Sequence, residues 1–113
     1  MDKLERYRQI IKKILSDYVA LDLSQPDPDV DSFMIVDEAH DHYLWMNVGW
    51  EEGKRTSGCT VYARLRDGKF WIEEDWTEEG IATDLLAAGV PREDIVLAFQ
   101  PPEMRKYTEF AAA

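Results

Sequence analysis

Apolar residues over the first twenty positions recur three and four apart: Leu4, Tyr7, Ile10, Ile11, Ile14, Leu15, Tyr18 and Val19. That spacing places them on one side of a helix from Asp2 to about Ala20, with Arg6, Gln9, Lys12 and Lys13 on the opposite side and Lys3 and Arg8 flanking the stripe. The segment SQPDPD at 24–29 holds two prolines and no periodicity, which predicts a connecting loop within one domain.

From Ser32 to Asp75 the period falls to two. Phe33–Val36, His42–Trp50, Gly58–Arg66 and Lys69–Glu74 read as four strands. Asp67-Gly68 between the last two is a two-residue hairpin signal, because that turn needs positive φ at both positions. It sets Arg66 opposite Lys69, Leu65 opposite Phe70, Arg64 opposite Trp71 and Ala63 opposite Ile72. Leu65, Phe70, Ala63 and Ile72 then share a face with Val61 and Cys59. Arg64, Trp71, Tyr62 and Glu73 share the other. The second strand alternates in the same way, with Leu44, Met46, Val48 and Trp50 against Tyr43, Trp45 and Asn47.

In the last third Thr77 reads as a helix N-cap, Glu78 and Glu79 suit the positive end of the dipole, and Trp76 is placed to staple onto Ile81. Ile81, Leu85 and Leu86 form the apolar stripe; Gly89 stops the helix and Pro91 keeps it from resuming. Ile95–Phe99 is a short apolar run read as a fifth strand. Pro101-Pro102-Glu103 then opens a last helix with Met104, Tyr107 and Phe110 on one side. The fold class expected is α+β: an antiparallel β-meander of about five strands packed with an N-terminal helix and two C-terminal helices.

At 113 residues, 45% of them hydrophobic, the chain suits one domain with one core. The lone Cys59 has no internal partner for a disulfide, which fits a reducing cytoplasm. Lys3, Glu5, Arg6 and Arg8 interrupt the start before a signal-peptide apolar core could form, and no apolar run approaches the roughly 20 residues of a membrane helix. No membrane association is therefore expected. Charge changes the picture most. Thirteen basic residues against 23 acidic ones give a net charge of −10. Phosphate recognition needs clustered Lys and Arg, so direct nucleic-acid binding is not favoured, apart from a small patch at Arg6, Lys12 and Lys13. Excess negative charge serves solubility, or complements a basic protein partner.

Candidate chemistry is sparse. His40 and His42 are two apart in DEAHDH at 37–42 and would share a strand face, but no second ligand group at recognisable spacing accompanies them, so no metal site is expected. Cys59, taken as inward-facing, reads as an inert thiol rather than a nucleophile. The chain holds no phosphate loop, no dinucleotide glycine pattern and no Ser/His/Asp constellation, so no catalytic residue, cofactor or enzyme activity is expected. The aromatic set is the more informative feature. If the second strand turns its Leu44 side to the core, Tyr43, Trp45, Tyr62 and Trp71 gather with Arg64 on the opposite sheet face. Left uncovered, those five residues make a candidate partner or dimer interface. A helix, or a second copy of the chain, is the alternative cover.

The stretches MDKLERYRQIIKKIL (1–15), DHYLWMNVGW (41–50), DGKFWIEEDWTEEGIA (67–82), and GVPREDIVLAF (89–99) continuing into PPEMRKYTEF (101–110) resemble the fdxN element excision controlling factor proteins of the XisI type. The resemblance covers most of the chain, as a single XisI-like domain over 1–113. It implies a role in controlling excision of a DNA element and a protein partner of the XisH type, which looks nuclease-related; it carries no catalytic residues. The family often has His before the paired prolines, where this chain has Gln100. The expected function is a non-enzymatic accessory protein acting by protein binding. The alternative is a DNA-binding accessory factor using the basic side of the first helix.

Overall fold

The computed structural model describes residues 2–24 and 27–113; Gln25 and Pro26 of the expected connecting loop lie outside the described residues. The chain opens with helix α1 (Lys3–Ser24). Asp2 caps it, its carboxylate accepting the Glu5 amide at 2.8 Å. Tyr7, Ile11, Leu15 and Val19, four apart, are its buried residues, flanked by Ile10, Ile14 and Tyr18. The helix outruns the apolar stripe by a turn, and there Leu21 and Leu23 stand in solvent.

Five strands follow in sheet order β1-β2-β3-β4-β5: β1 (Val30–Asp37), β2 (His42–Glu51), β3 (Lys54–Arg66), β4 (Lys69–Asp75) and β5 (Ile95–Leu97). The first four form an antiparallel meander. Asp67 (φ 54°) and Gly68 (φ 75°) make the expected hairpin, and all four expected pairs from Arg66–Lys69 to Ala63–Ile72 are in register. Glu52 (φ 50°) and Gly53 (φ 77°) make a second two-residue turn, so β3 begins at Lys54, ahead of the expected Gly58. The sheet is mixed, because β5 runs parallel to β4. The 19 residues between them cross over through α2 (Ile81–Ala87), and such a crossover returns the chain in the same direction.

Two bulges set which side chains face α1. Trp45 pairs with Val61 while Met46 pairs with Cys59, leaving Thr60 as an extra residue in β3. Tyr62 pairs with Glu74 while Ala63 pairs with Ile72, leaving Glu73 as an extra residue in β4. The second bulge sets Asp75 opposite the inward Val61 and so beside the start of α2. There its carboxylate accepts the Thr77 amide (2.9 Å), the Thr77 hydroxyl (2.6 Å) and the Ile81 amide (2.7 Å). The helix therefore starts at Ile81, with Asp75 and not Thr77 serving its first amide. Trp76 is 76% exposed and does not staple onto Ile81. Its end matches expectation. Gly89 (φ 93°) donates to the Leu86 carbonyl and Val90 to the Leu85 carbonyl, the paired bonds of a Schellman motif.

The expected last helix is a six-residue 3₁₀ helix, Pro102–Tyr107. Met104 and Tyr107 are exposed, so no apolar face supports an α-helix there. Ala111 then bridges Val96 and covers the outer edge of β5. Gly49 shows how tightly the entry to β1 packs: a Cβ there would lie 2.1 Å from the Asp29 carbonyl oxygen.

Candidate functional site

Tyr43 and Trp45 lie on the helix side of the sheet, contrary to expectation. Tyr43 is fully buried, and Trp45 stacks on Tyr18 of α1 with ring centroids 5.4 Å apart. The bulge at Thr60 is the cause. An unbroken register from the Glu52-Gly53 turn would set Leu44 against the inward Val61; the extra residue sets Trp45 there and Tyr43 against Ala63. The same shift carries Cys59 off the helix side, opposite Met46, where it is half-buried. Burial raises its thiol pKa, with Glu74 adding to the effect, so it is held protonated.

Polar pins hold α1 to the sheet. The Tyr7 hydroxyl donates to Asp94 at 2.5 Å, and the Lys3 ammonium lies 2.8 Å from the same carboxylate. Arg8 makes a two-pronged contact with Asp41 (2.8 and 3.1 Å), which also accepts the Tyr43 hydroxyl at 2.9 Å. That bond to Arg8 lowers the Asp41 pKa, and burial foremost raises that of Tyr43. Tyr18 donates to Asp84 at 2.7 Å, linking α1 to α2. Lys12 pairs with Glu38 and Lys13 with Asp17, so Lys3, Arg8, Lys12 and Lys13 all carry a carboxylate partner. Arg6, the remaining cation of the expected patch, lies over the Tyr7 ring at 5.2 Å, so with four of its five cations paired the first helix offers little to phosphate.

The remaining candidate residues, Tyr62, Arg64 and Trp71, lie on the face turned away from α1. The Tyr62 hydroxyl lies 2.7 Å from His42 Nδ1, and His42, Arg64 and Trp71 follow one another in one cross-strand row. Trp71 is nearly buried: its indole donates to the Arg66 carbonyl at 3.0 Å, and the guanidinium groups of Arg66 and Arg105 lie over the ring at 4.9 and 5.7 Å. The cation–π partners of Trp71 are thus Arg66 and Arg105. Arg105 donates to the carbonyls of Gln100 and Ala98, which seats the 3₁₀ helix against β4.

Among the described residues no such lid lies over β1, β2 and the start of β3. In consecutive cross-strand rows stand Phe33 with Met46 and Cys59, and Ile35 with Leu44 and Tyr62. None of these residues joins the core under α1; Phe33 is 36% and Ile35 45% exposed. Sequence reasoning missed Phe33, Ile35, Leu44 and Met46 because β2 is apolar on both faces and the bulge decides which one α1 covers.

His40 and His42 part company. His40 Nδ1 lies 2.9 Å from Asp37, lowering that carboxyl's pKa, while His42 turns to Tyr62. Among the described residues no group of three or more His, Cys, Asp or Glu side chains could hold a metal ion, and no helix is long and apolar enough to cross a membrane. Two open hollows of about 620 and 520 Å³ adjoin at the end of the sheet, sharing Asp27 and Glu51; neither converges a set of groups suited to acid–base work.

A family model described as XisI protein matches residues 1–112. Two crystal structures from Anabaena variabilis ATCC 29413 are similar. One is a XisI-like protein, 38% identical with a TM-score of 0.90, covering 99% of this chain and 100% of that one. The other is fdxN element excision controlling factor XisI, 44% identical with a TM-score of 0.84 and the same coverage. No curated protein matches the chain.

Proposed function

The chain belongs to the XisI family, and from that premise we propose that it helps control excision of a DNA element, as a non-enzymatic cytoplasmic accessory factor that binds another protein. The observation that carries this reading is the apolar sheet face opposite α1, with Phe33, Ile35, Leu44, Met46 and Tyr62 at its centre and Arg64 and Trp71 at its margin. Apolar side chains that no element among the described residues covers, rimmed by polar groups, are the surface type that protein partners occupy. The 44% identity to a protein described as an excision controlling factor supports the process. A net charge of −10 supports a basic partner, for which an XisH-type protein is our candidate. Direct docking on DNA has less support, since four of the five cations of α1 are paired with carboxylates.

Co-expression with the XisH-type protein, followed by affinity capture, tests the reading. Capture is expected from the unmodified chain and is expected to fall at least about tenfold with Ile35→Asp or Tyr62→Ala, changes the size of an interface anchor's loss. Equal capture by all three chains would remove this face from the function.

A further inference from the structure

The two edges of the sheet are treated differently. At β5 the C-terminal segment closes the edge, Ala111 donating to the Ile95 carbonyl at 2.8 Å. At β1 the Val30 amide donates back to the Asp27 carbonyl at 3.1 Å, and from Asp31 onward no other strand among the described residues pairs with the outward side, because β1 stands first in the sheet with β2 as its one neighbour. Natural edge strands are usually guarded by Pro, Lys or a bulge. Residues 30–37 contain no proline and no lysine, and β1 pairs with β2 without a register break for all eight residues. A row of outward backbone N–H and C=O groups is therefore left as a template for another strand.

What that strand must look like follows from the side chains. Asp31, Phe33, Ile35 and Asp37 alternate with Ser32, Met34 and Val36, and all four are exposed. A carboxylate thus stands at each end of an apolar pair, a pattern that reads the same from both directions. Directly opposite residues on neighbouring strands share a face and lie about 5 Å apart, close enough for charge to select the partner.

A second copy of the chain fails that selection. In the fully overlapped antiparallel pairing of two β1 strands, Asp31 of each faces Asp37 of the other, and this happens twice. Sliding by two residues one way sets Asp37 against Asp29; sliding the other way sets it against Phe33. Each copy also brings a net charge of −10. The two aspartates guard the edge against self-pairing and leave it open to a cationic strand.

We propose that the β1 edge takes an added β-strand from a basic protein, with Lys or Arg opposite Asp31 and Asp37 and apolar residues opposite Phe33 and Ile35. This rests on the partner-binding reading above and specifies the partner: a segment with cations six residues apart and apolar residues at the second and fourth positions after the first cation. The added strand also extends the apolar face formed by Ile35, Leu44 and Tyr62.

A capped peptide Lys-Thr-Val-Thr-Ile-Thr-Lys, titrated into isotope-labelled chain to about millimolar concentration, probes the edge by amide NMR. Amide shifts are expected at residues 30–37, with binding about tenfold tighter than for the same peptide ended in Glu. The variant D31K/D37K, whose spectrum also reports that it is folded, is expected to reverse the preference. Equal binding of the two peptides, shifts outside β1, no shifts, or a free chain that sediments as a dimer with protected β1 amides would each overturn the proposal. Undiminished capture of the XisH-type protein by D31K/D37K would also overturn it while the partner-binding reading stands. Failure of all capture beside a preserved peptide preference would sink that reading and leave the edge site.

Discussion

Asp94 and Asp41 tie α1 to the rest of the chain and give stability a defined response to pH. Burial alone would raise Asp94, but the Lys3 ammonium and the Tyr7 hydroxyl outweigh it and hold the carboxyl below its usual range. Asp41 is lowered chiefly by its bond to Arg8. A carboxyl whose folded pKa lies below the unfolded value, about 3.9, binds its proton more weakly in the native state. Its stabilisation is therefore complete above that value and is lost as pH falls through the lower folded pKa. Tyr7 is pushed up to about 12, by burial first and then by its bond to Asp94; Tyr18 is pushed up to about 12, first by its bond to Asp84. Raised groups act in the opposite sense, so their contribution is whole below about pH 10 and is lost as pH rises toward 12. The urea midpoint is expected to hold steady from about pH 5 to 9 and to fall on both sides. Asp94→Asn is expected to cost about 1–2 kcal/mol at pH 7 and to flatten the acid limb. An acid limb parallel to that of the unmodified chain would show that Asp94 does not carry this linkage.

Thr60 illustrates what can and cannot be read from a pattern of residues. The phase of α1, the Asp67-Gly68 register and the stop at Gly89 each depend on neighbours within a few positions, so local chemistry reveals them. The 19 residues between β4 and β5 are long enough for a crossover, a clue to the parallel strand that the expected antiparallel meander left unused. Bulges leave no such trace, since a threonine in a strand looks the same whether or not it is paired. Yet this one residue turns Tyr43 and Trp45 under α1 and sends Leu44 and Met46 outward, so the five-residue candidate interface was divided between two faces. Deleting Thr60 would close the bulge and leave the pairs on both sides as they stand, Trp45 opposite Val61 and Met46 opposite Cys59. The stack of Trp45 on Tyr18 and the Tyr43–Asp41 bond are therefore expected to persist, and the deletion is expected to cost under about 1 kcal/mol by chemical unfolding. A loss above about 4 kcal/mol would mean that the local twist of the bulge, and not the register alone, seats the sheet against α1.

Across the whole molecule, apolar contact and charge are expected to act at different stages of association. Net charge acts at a distance and is screened over about 8 Å at physiological salt, so it governs how often a basic partner arrives in a productive orientation. Phe33, Ile35 and Tyr62 act only on contact, so they govern how long the partner stays. With four of the α1 cations tied to carboxylates, little positive surface is left on that helix to oppose approach of such a partner. Measured by surface plasmon resonance against the captured partner, raising salt is therefore expected to lower the association rate by about an order of magnitude with little change in dissociation. Ile35→Asp is expected to do the reverse, speeding dissociation at every salt concentration while adding slightly to the attraction of a cationic surface. A salt effect confined to dissociation would mean that charge acts only through pairs made on contact, such as those at Asp31 and Asp37, and the division of labour between long-range charge and apolar surface would fail.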